Sequence, residues 1–201
     1  SNIKMGIGVK HGYEPTDTIA IVTKSKGNIV YELNHKPAAE VYCKMAHANL
    51  EAFKKYTIPT LTKAPFGVAD IQGDYWLNCP YAVTKENGLI FFEPVAPGTA
   101  LYLMKPKNKK DYIKAAEIAI NNATNELQEL EGLIVFSCSA RLMYLGEEIK
   151  KEYEVIKKVS KDKPFIGFCS YAEHATIPSG SIYKHGYTFV TFGMTNKLIN
   201  E

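Results

Sequence analysis

The stretch that decides the fold is 133–170, LIVFSCSARLMYLGEEIKKEYEVIKKVSKDKPFIGFCS. It opens on a short, continuous apolar run, the pattern of a strand covered on both faces. Leu145, Ile149, Tyr153, Ile156 and Val159 then recur at helical spacing and predict an amphipathic helix. Pro164 closes that segment, and FIGFCSYAE (165–173) reads as a second buried strand. A helix between two apolar strands is the signature of a right-handed crossover, which makes the strands parallel members of one sheet.

Upstream, Ile113, Ala116, Ile120, Ala123, Leu127 and Leu130 predict a helix from about Lys110 to Glu131, with Gly132 as its stop. Downstream, YTFVTFGM predicts a last strand after a loop, HATIPSGSIYKHG. The first half reads differently. KMGIGVKHGY and TIAIVTKSKGNIVYEL alternate as strands around a tight turn at Gly27-Asn28. Pro37 opens a short helix, PAAEVYCKMAHANLEAFKKY, and TIPTLTKAPFGVAD reads as loop. Between 74 and 104 lies a meander with turns at Asn87-Gly88 and Pro97-Gly98. The fold class is therefore α/β (α+β): a mixed sheet with flanking helices, hairpin and meander first, strand-helix-strand second. The organisation expected is a single domain over 1–201, with a sub-lobe at 1–60 and a core at 61–201.

Composition narrows the function. An apolar share of 46% with 22% charged residues fits a globular chain with a packed core and excludes a disordered one. No apolar run reaches the roughly 20 residues that cross a bilayer, and the expected location is the cytoplasm. The four cysteines (43, 79, 138 and 169) form no C-x-x-C pair, so neither a zinc site nor a disulfide framework is expected. Lysines bunch at 105–110 and 157–163 without interleaved aromatics, which favours solvated surface over a nucleic-acid stripe.

One residue stands out. Among 24 basic residues Arg141 is the only arginine. A guanidinium offers a planar fork that grips a carboxylate with parallel hydrogen bonds, which an ammonium cannot do. In open sheets ligands sit beyond the carboxyl ends of the strands. If the two strands are parallel neighbours, Ser137, Cys138, Arg141, Tyr171 and Glu173 face one crevice. Two readings stay open: Arg141 pairs with Glu173 to pin a helix to the sheet, or the two await a ligand. Cys138, beside an arginine and a helix start, is a conceivable thiolate with His174 or His185 as base, but a buried inert thiol is favoured.

These residues resemble a known family. LIVFSCSARLMYLGEE, then PFIGFCSYAEHATIPSG and HGYTFVTF, are similar in order and spacing to the C-terminal domain of the FIST family (F-box and intracellular signal transduction). Phe136, Ser137, Cys138, Arg141, Leu145 and Gly146 match its first block. Pro164, Gly167, Phe168, Tyr171 and Glu173 match its second, and His185 and Thr188 its third. IGVKHGYEP and VTKSKGNIVYELNHKPAAEVY resemble the end of the family's N-terminal region. The chain departs from the pattern at Ala172, Gly186 and Asn78, where glycine, asparagine and arginine are usual.

The resemblance implies a non-enzymatic sensory module that feeds a signalling protein and recognises a small ligand. An amino acid or similar carboxylate is the class expected, with Arg141, Glu173, Ser137, Cys138, Tyr171 and His185 as ligand-binding residues. No metal and no cofactor are expected. The alternatives are a haem-binding gas sensor, with His11, His174 or His185 as axial ligand, and a docking module without ligand. Partners expected are the small molecule, a signalling output domain and a second copy of the chain.

Overall fold

Helix α4 (Lys109–Thr124) lies directly on the backbone of a sheet, because glycines clear its path. A Cβ at Gly8 would fall 1.7 Å from the Ala119 carbonyl oxygen, and one at Gly6 would fall 1.9 Å from that of Ala123. This is seen in a computed structural model that describes residues 3–56, 58–106, 108–125, 127–176 and 182–198. In chain order the described elements are β1 (Ile3–His11), β2 (Tyr13–Lys26), β3 (Ile29–Leu33), β4 (Lys36–Pro37), α1 (Ala38–Met45), α2 (Leu50–Lys55), α3 (Ile58–Leu61), β5 (Phe66–Ala69), β6 (Tyr75–Leu77), β7 (Pro80–Val83), β8 (Leu89–Phe91) and β9 (Ala100–Pro106). After α4 come β10 (Gly132–Cys138), α5 (Ser139–Leu145), a 3-10 turn (Gly146–Ile149), α6 (Lys150–Val159), β11 (Phe165–Ser170), β12 (Glu173–Thr176), β13 (Ile182–His185) and β14 (Thr188–Leu198).

The chain divides into two compact units, Ser1–Gly12 with Lys107–Glu201, and Tyr13–Pro106. The boundary expected near residue 60 falls inside the second unit, between α3 and β5. In the first unit four strands run in the order β1-β14-β10-β11. β10 and β11 are parallel, joined through α5 and α6, and β14 runs antiparallel to both β10 and β1. The crossover legible in 133–170 is thus present, and the mixed sheet with it. One face of this sheet packs against α4 and α6 through Ala116, Ala119, Ile120, Leu133, Val135, Ile156 and Phe189.

The helix expected to run to Glu131 ends at Thr124, and three further elements of this unit differ from the sequence reading. β11, expected to be buried, is the edge strand, and most of it is exposed. The apolar run FIGFCS alone cannot distinguish a central strand from an uncovered one. On α6 the buried stripe takes Glu152 in place of Tyr153, which is exposed and rests against Phe165. Within the expected loop at 174–186, residues 177–181 lie outside the description, and the flanking residues form the antiparallel pair β12–β13.

In the second unit an antiparallel sheet runs β6-β5-β9-β2-β3-β8-β7, with β4 added at β3. Gly27, at φ +58°, makes the tight turn between β2 and β3, and the left-handed Asn87 with Gly88 makes that between β7 and β8. Pro37 precedes α1, as its fixed φ suits. The segment 57–70, read as loop, contains α3 and β5. Its core stacks Tyr42, Phe53, Phe66 and Phe91, with the Tyr42 hydroxyl donating to the Ala64 carbonyl. Asn78, where the family usually has arginine, is buried and braces the backbone of Glu93 in both directions.

Gly8→Ala forces its methyl into the α4 backbone, which has no side-chain freedom to yield. It is expected to lower the urea midpoint by an amount equivalent to about 3 kcal/mol. Gly27→Ala, with open space around it but a left-handed φ, costs about 1 kcal/mol; equal midpoints for the two variants would contradict this packing.

Candidate functional site

Successive residues of a strand point to opposite faces, and at the carboxyl end of β10 this separates two polar clusters. Ser137 faces the helices and Cys138 faces the other way. The Ser137 hydroxyl donates to Glu152 Oε2 at 2.9 Å, and Arg141, on α5, brings its Nε to Oε1 at 2.8 Å. Nη2 of Arg141 also reaches Oε1, at 2.6 Å, and donates to the Tyr112 carbonyl at 2.8 Å. The guanidinium lies over the Tyr112 ring, 4.4 Å from its centroid, and 5.8 Å from that of Phe189. Arg141 is 0% exposed. So the lone arginine ties α5 to α6 and α4, and its partner is Glu152 rather than Glu173. Its Nη1 alone makes no hydrogen bond in the structure.

On the opposite face the register aligns His11, Thr188, Cys138 and Ser170 across β1, β14, β10 and β11. Glu173, the first residue of β12, is buried against this row. It accepts hydrogen bonds from the hydroxyls of Ser170 and of Thr188, the latter at 2.9 Å, and from the Cys138 thiol. Its neighbour across the β12–β13 pair is His185, also buried, whose Nε2 lies 3.2 Å from the Ala175 carbonyl oxygen and so carries the proton.

Burial sets the protonation of this face. It raises the Glu173 carboxyl above its ordinary 4.5, against the pull of three hydrogen bonds and of Arg141. It lowers His185 below 6.5, so the imidazole is neutral at pH 7. It pushes the Cys138 thiol up to about 11, with the Glu173 carboxylate adding to the effect. A thiol there is protonated and a poor nucleophile. Arg141 and Glu152 offset each other, while among the described residues no cation bonds to Glu173.

Of the residues singled out in the sequence, Glu173, Cys138 and His185 come together at this face. Arg141 and Ser137 form the other cluster, behind the strand end. Tyr171 is 89% exposed and bonds to neither. Glu152, Tyr112, Ser170 and Thr188 were not singled out as site residues. Glu152 leaves one signal, a carboxylate on the apolar stripe of α6 between Ile149 and Ile156; Tyr112 acts through its carbonyl and ring, which sequence does not announce.

Two of the three histidines considered as haem ligands lie on β12 and β13. His185 commits Nε2 to Ala175, and His174 is exposed on the alternate side of β12. Among the described residues no three His, Cys, Asp or Glu side chains gather as a metal site. A shallow depression of about 330 Å³ on the second unit is lined by Lys24, Tyr31, Glu32, His35, Lys36 and Glu86 among others. Its charges alternate in sign, and Lys24 sits 3.7 Å from Glu32.

Known proteins settle the lineage. The FIST C domain matches residues 38–176 and the FIST N domain residues 1–36. The chain belongs to the FIST family. FIST domains are sensory domains associated with signal transduction. An uncharacterized protein of Methanocaldococcus jannaschii is 32% identical over 219 residues, covering 96% of this chain and 42% of that protein. The FIST chain thus spans less than half the length of this curated relative. No solved structure matches it. No described helix is long and apolar enough to cross a membrane.

Removing Arg141 strands a buried carboxylate. Arg141→Met is expected to cost about 3–5 kcal/mol, and Arg141→Met with Glu152→Leu less than the sum of the single changes, in a denaturant double-mutant cycle. The other face titrates. With its folded pKa depressed, His185 contributes stability that is present above 6.5 and lost as pH falls below it. Glu173 does the reverse: its contribution is full below 4.5 and lost as pH rises through its raised folded value. Thermal melts across pH should therefore show His185→Asn flattening the acidic limb and Glu173→Gln gaining most, relative to wild type, above neutrality.

Proposed function

We propose that this chain is the sensory part of a signal-transduction protein and binds a small ligand bearing an ammonium, amino acids being the class. The observation that carries the reading is the buried carboxylate of Glu173, to which no cation bonds among the described residues, at the carboxyl end of the parallel β10–β11 pair. Ligands of open α/β sheets collect at that end. A buried charge without a counter-charge is costly, and an incoming ammonium relieves the cost. The hydroxyls of Ser170 and Thr188 and the Cys138 thiol, which now turn their hydrogens to Glu173, supply polar contacts around it. Arg141, buried on the other face of β10, supports the site from behind by holding α4, α5 and α6 together.

The reading is of a binding domain and not of an enzyme: the thiol in the cluster, Cys138, is held protonated by burial. The hydroxyls of Ser170 and Thr188 face a carboxylate with no base beyond it, among the described residues, to activate them. The family's association with signalling supports the output side.

A thermal-shift panel tests it, with amino acids, amines lacking a carboxylate, and carboxylic acids lacking an amine. At about 100 times Kd a binder adds roughly 2.7 kcal/mol, a rise of about 5–10 °C for a chain of this size. Ammonium-bearing compounds should raise the melting temperature of wild type and not of Glu173→Gln. A flat panel for wild type, or shifts by the acids alone that Glu173→Gln retains, would overturn the assignment.

A further inference from the structure

In the first unit, beyond the end covered by β12, no described element packs on the sheet face away from α4. The register stacks Ile7, Phe192, Ile134 and Ile166 in one row, and Val9, Val190, Phe136 and Phe168 in the next. Ile166 is 72% and Phe168 63% exposed, and Met5 and Ile7 at the far edge are exposed as well. Phe136 packs edge-on against Phe168 and Phe192, so the rings form one continuous surface. Strand alternation places only uncharged side chains in these rows, while Lys10 of β1 pairs with Phe189 and so turns to the helical side.

We infer that this face is where a second copy of the chain packs, sheet against sheet across a two-fold axis. Area is the first argument. Large side chains of this kind carry on the order of 200 Å² each, so with Ile166, Phe168, Met5 and Ile7 between 40% and 72% open the uncovered part of the face amounts to about 500 Å². That is in the upper part of the range that single soluble chains leave open. With the free edge of β11 added, it approaches the ~800 Å² per partner of a standard interface. Charge is the second argument. A two-fold axis sets each side chain against a copy of its own surface, and any charge there meets its like. A face without charge meets no such penalty. Stacked sheets about 10 Å apart interlock apolar side chains of this kind. The edge strand points the same way: FIGFCS has neither charge nor proline, the devices that keep exposed edges solitary.

Sedimentation equilibrium over about 1–100 μM reads the association directly. Wild type should fit a monomer–dimer equilibrium. Phe168→Lys, which adds a charge at an exposed position, should raise the dimer Kd by about 100-fold. Ile71→Lys, at an exposed turn of the second unit, should leave Kd unchanged. If the far-UV spectrum shows that Phe168→Lys does not fold, Met5→Lys at the opposite edge takes its place, with the same rise expected. Wild type that stays monomeric throughout overturns the inference. So does a dimer whose Kd neither Phe168→Lys nor Met5→Lys raises, because its interface then lies elsewhere.

Discussion

The buried Arg141–Glu152 pair is the constraint on which the first unit depends. One guanidinium joins four elements: it extends from α5, binds the carboxylate of α6, donates to the Tyr112 carbonyl of α4 while lying over the same residue's ring, and comes within 5.8 Å of the ring centroid of Phe189 on β14. Ser137 of β10 completes the set through the second oxygen of Glu152. A lysine would satisfy the charge but not the geometry, because its ammonium offers no flat face to lay on Tyr112 and no divergent N–H groups to reach both Glu152 and a carbonyl. That is why a chain otherwise basic only through lysine has an arginine here.

Legibility in the sequence followed the physics of local pattern. The β10–α6–β11 crossover, the Gly27 and Asn87-Gly88 turns and the start of α1 at Pro37 all rest on periodicity or backbone conformation, which a short window contains. The burial of β11 was not legible, because an apolar strand reads alike in the middle of a sheet and at its edge. The site was legible in its residue types and not in its pairing. Glu173, Cys138 and His185 do converge, yet Arg141 turns to Glu152, eleven positions along the chain and across a helical bend. The choice between two candidate carboxylates was made by which face of β10 each one occupies, and that is fixed only when the sheet is assembled.

The end of β10 therefore works as a partition. Adjacent residues serve opposite sides: Ser137 helps neutralise a closed ion pair, and Cys138 helps hold a carboxylate that has no cation of its own. Stiffness and responsiveness sit back to back, one residue apart. On the proposed reading, a ligand meeting Glu173 would act on β12 and β14 through Thr188 without having to break the pair that holds the helices. The segment matched by the FIST N domain contributes to this face as well, since β1 carries His11 into the same row.

The interruption of the first unit has a consequence for how the chain finds its structure. β1 must meet β14 and α4 although the whole of Tyr13–Pro106 intervenes. The ends of that intervening stretch are Cα partners on β2 and β9, Tyr13 opposite Pro106. Once β2 and β9 have zipped, the two ends of the intervening stretch are held close together. The entropy of closing a long loop between β1 and α4 then shrinks to that of a short one. Pairing of β2 with β9 before β1 meets β14 is thereby the order with the smaller entropic cost for the outer sheet.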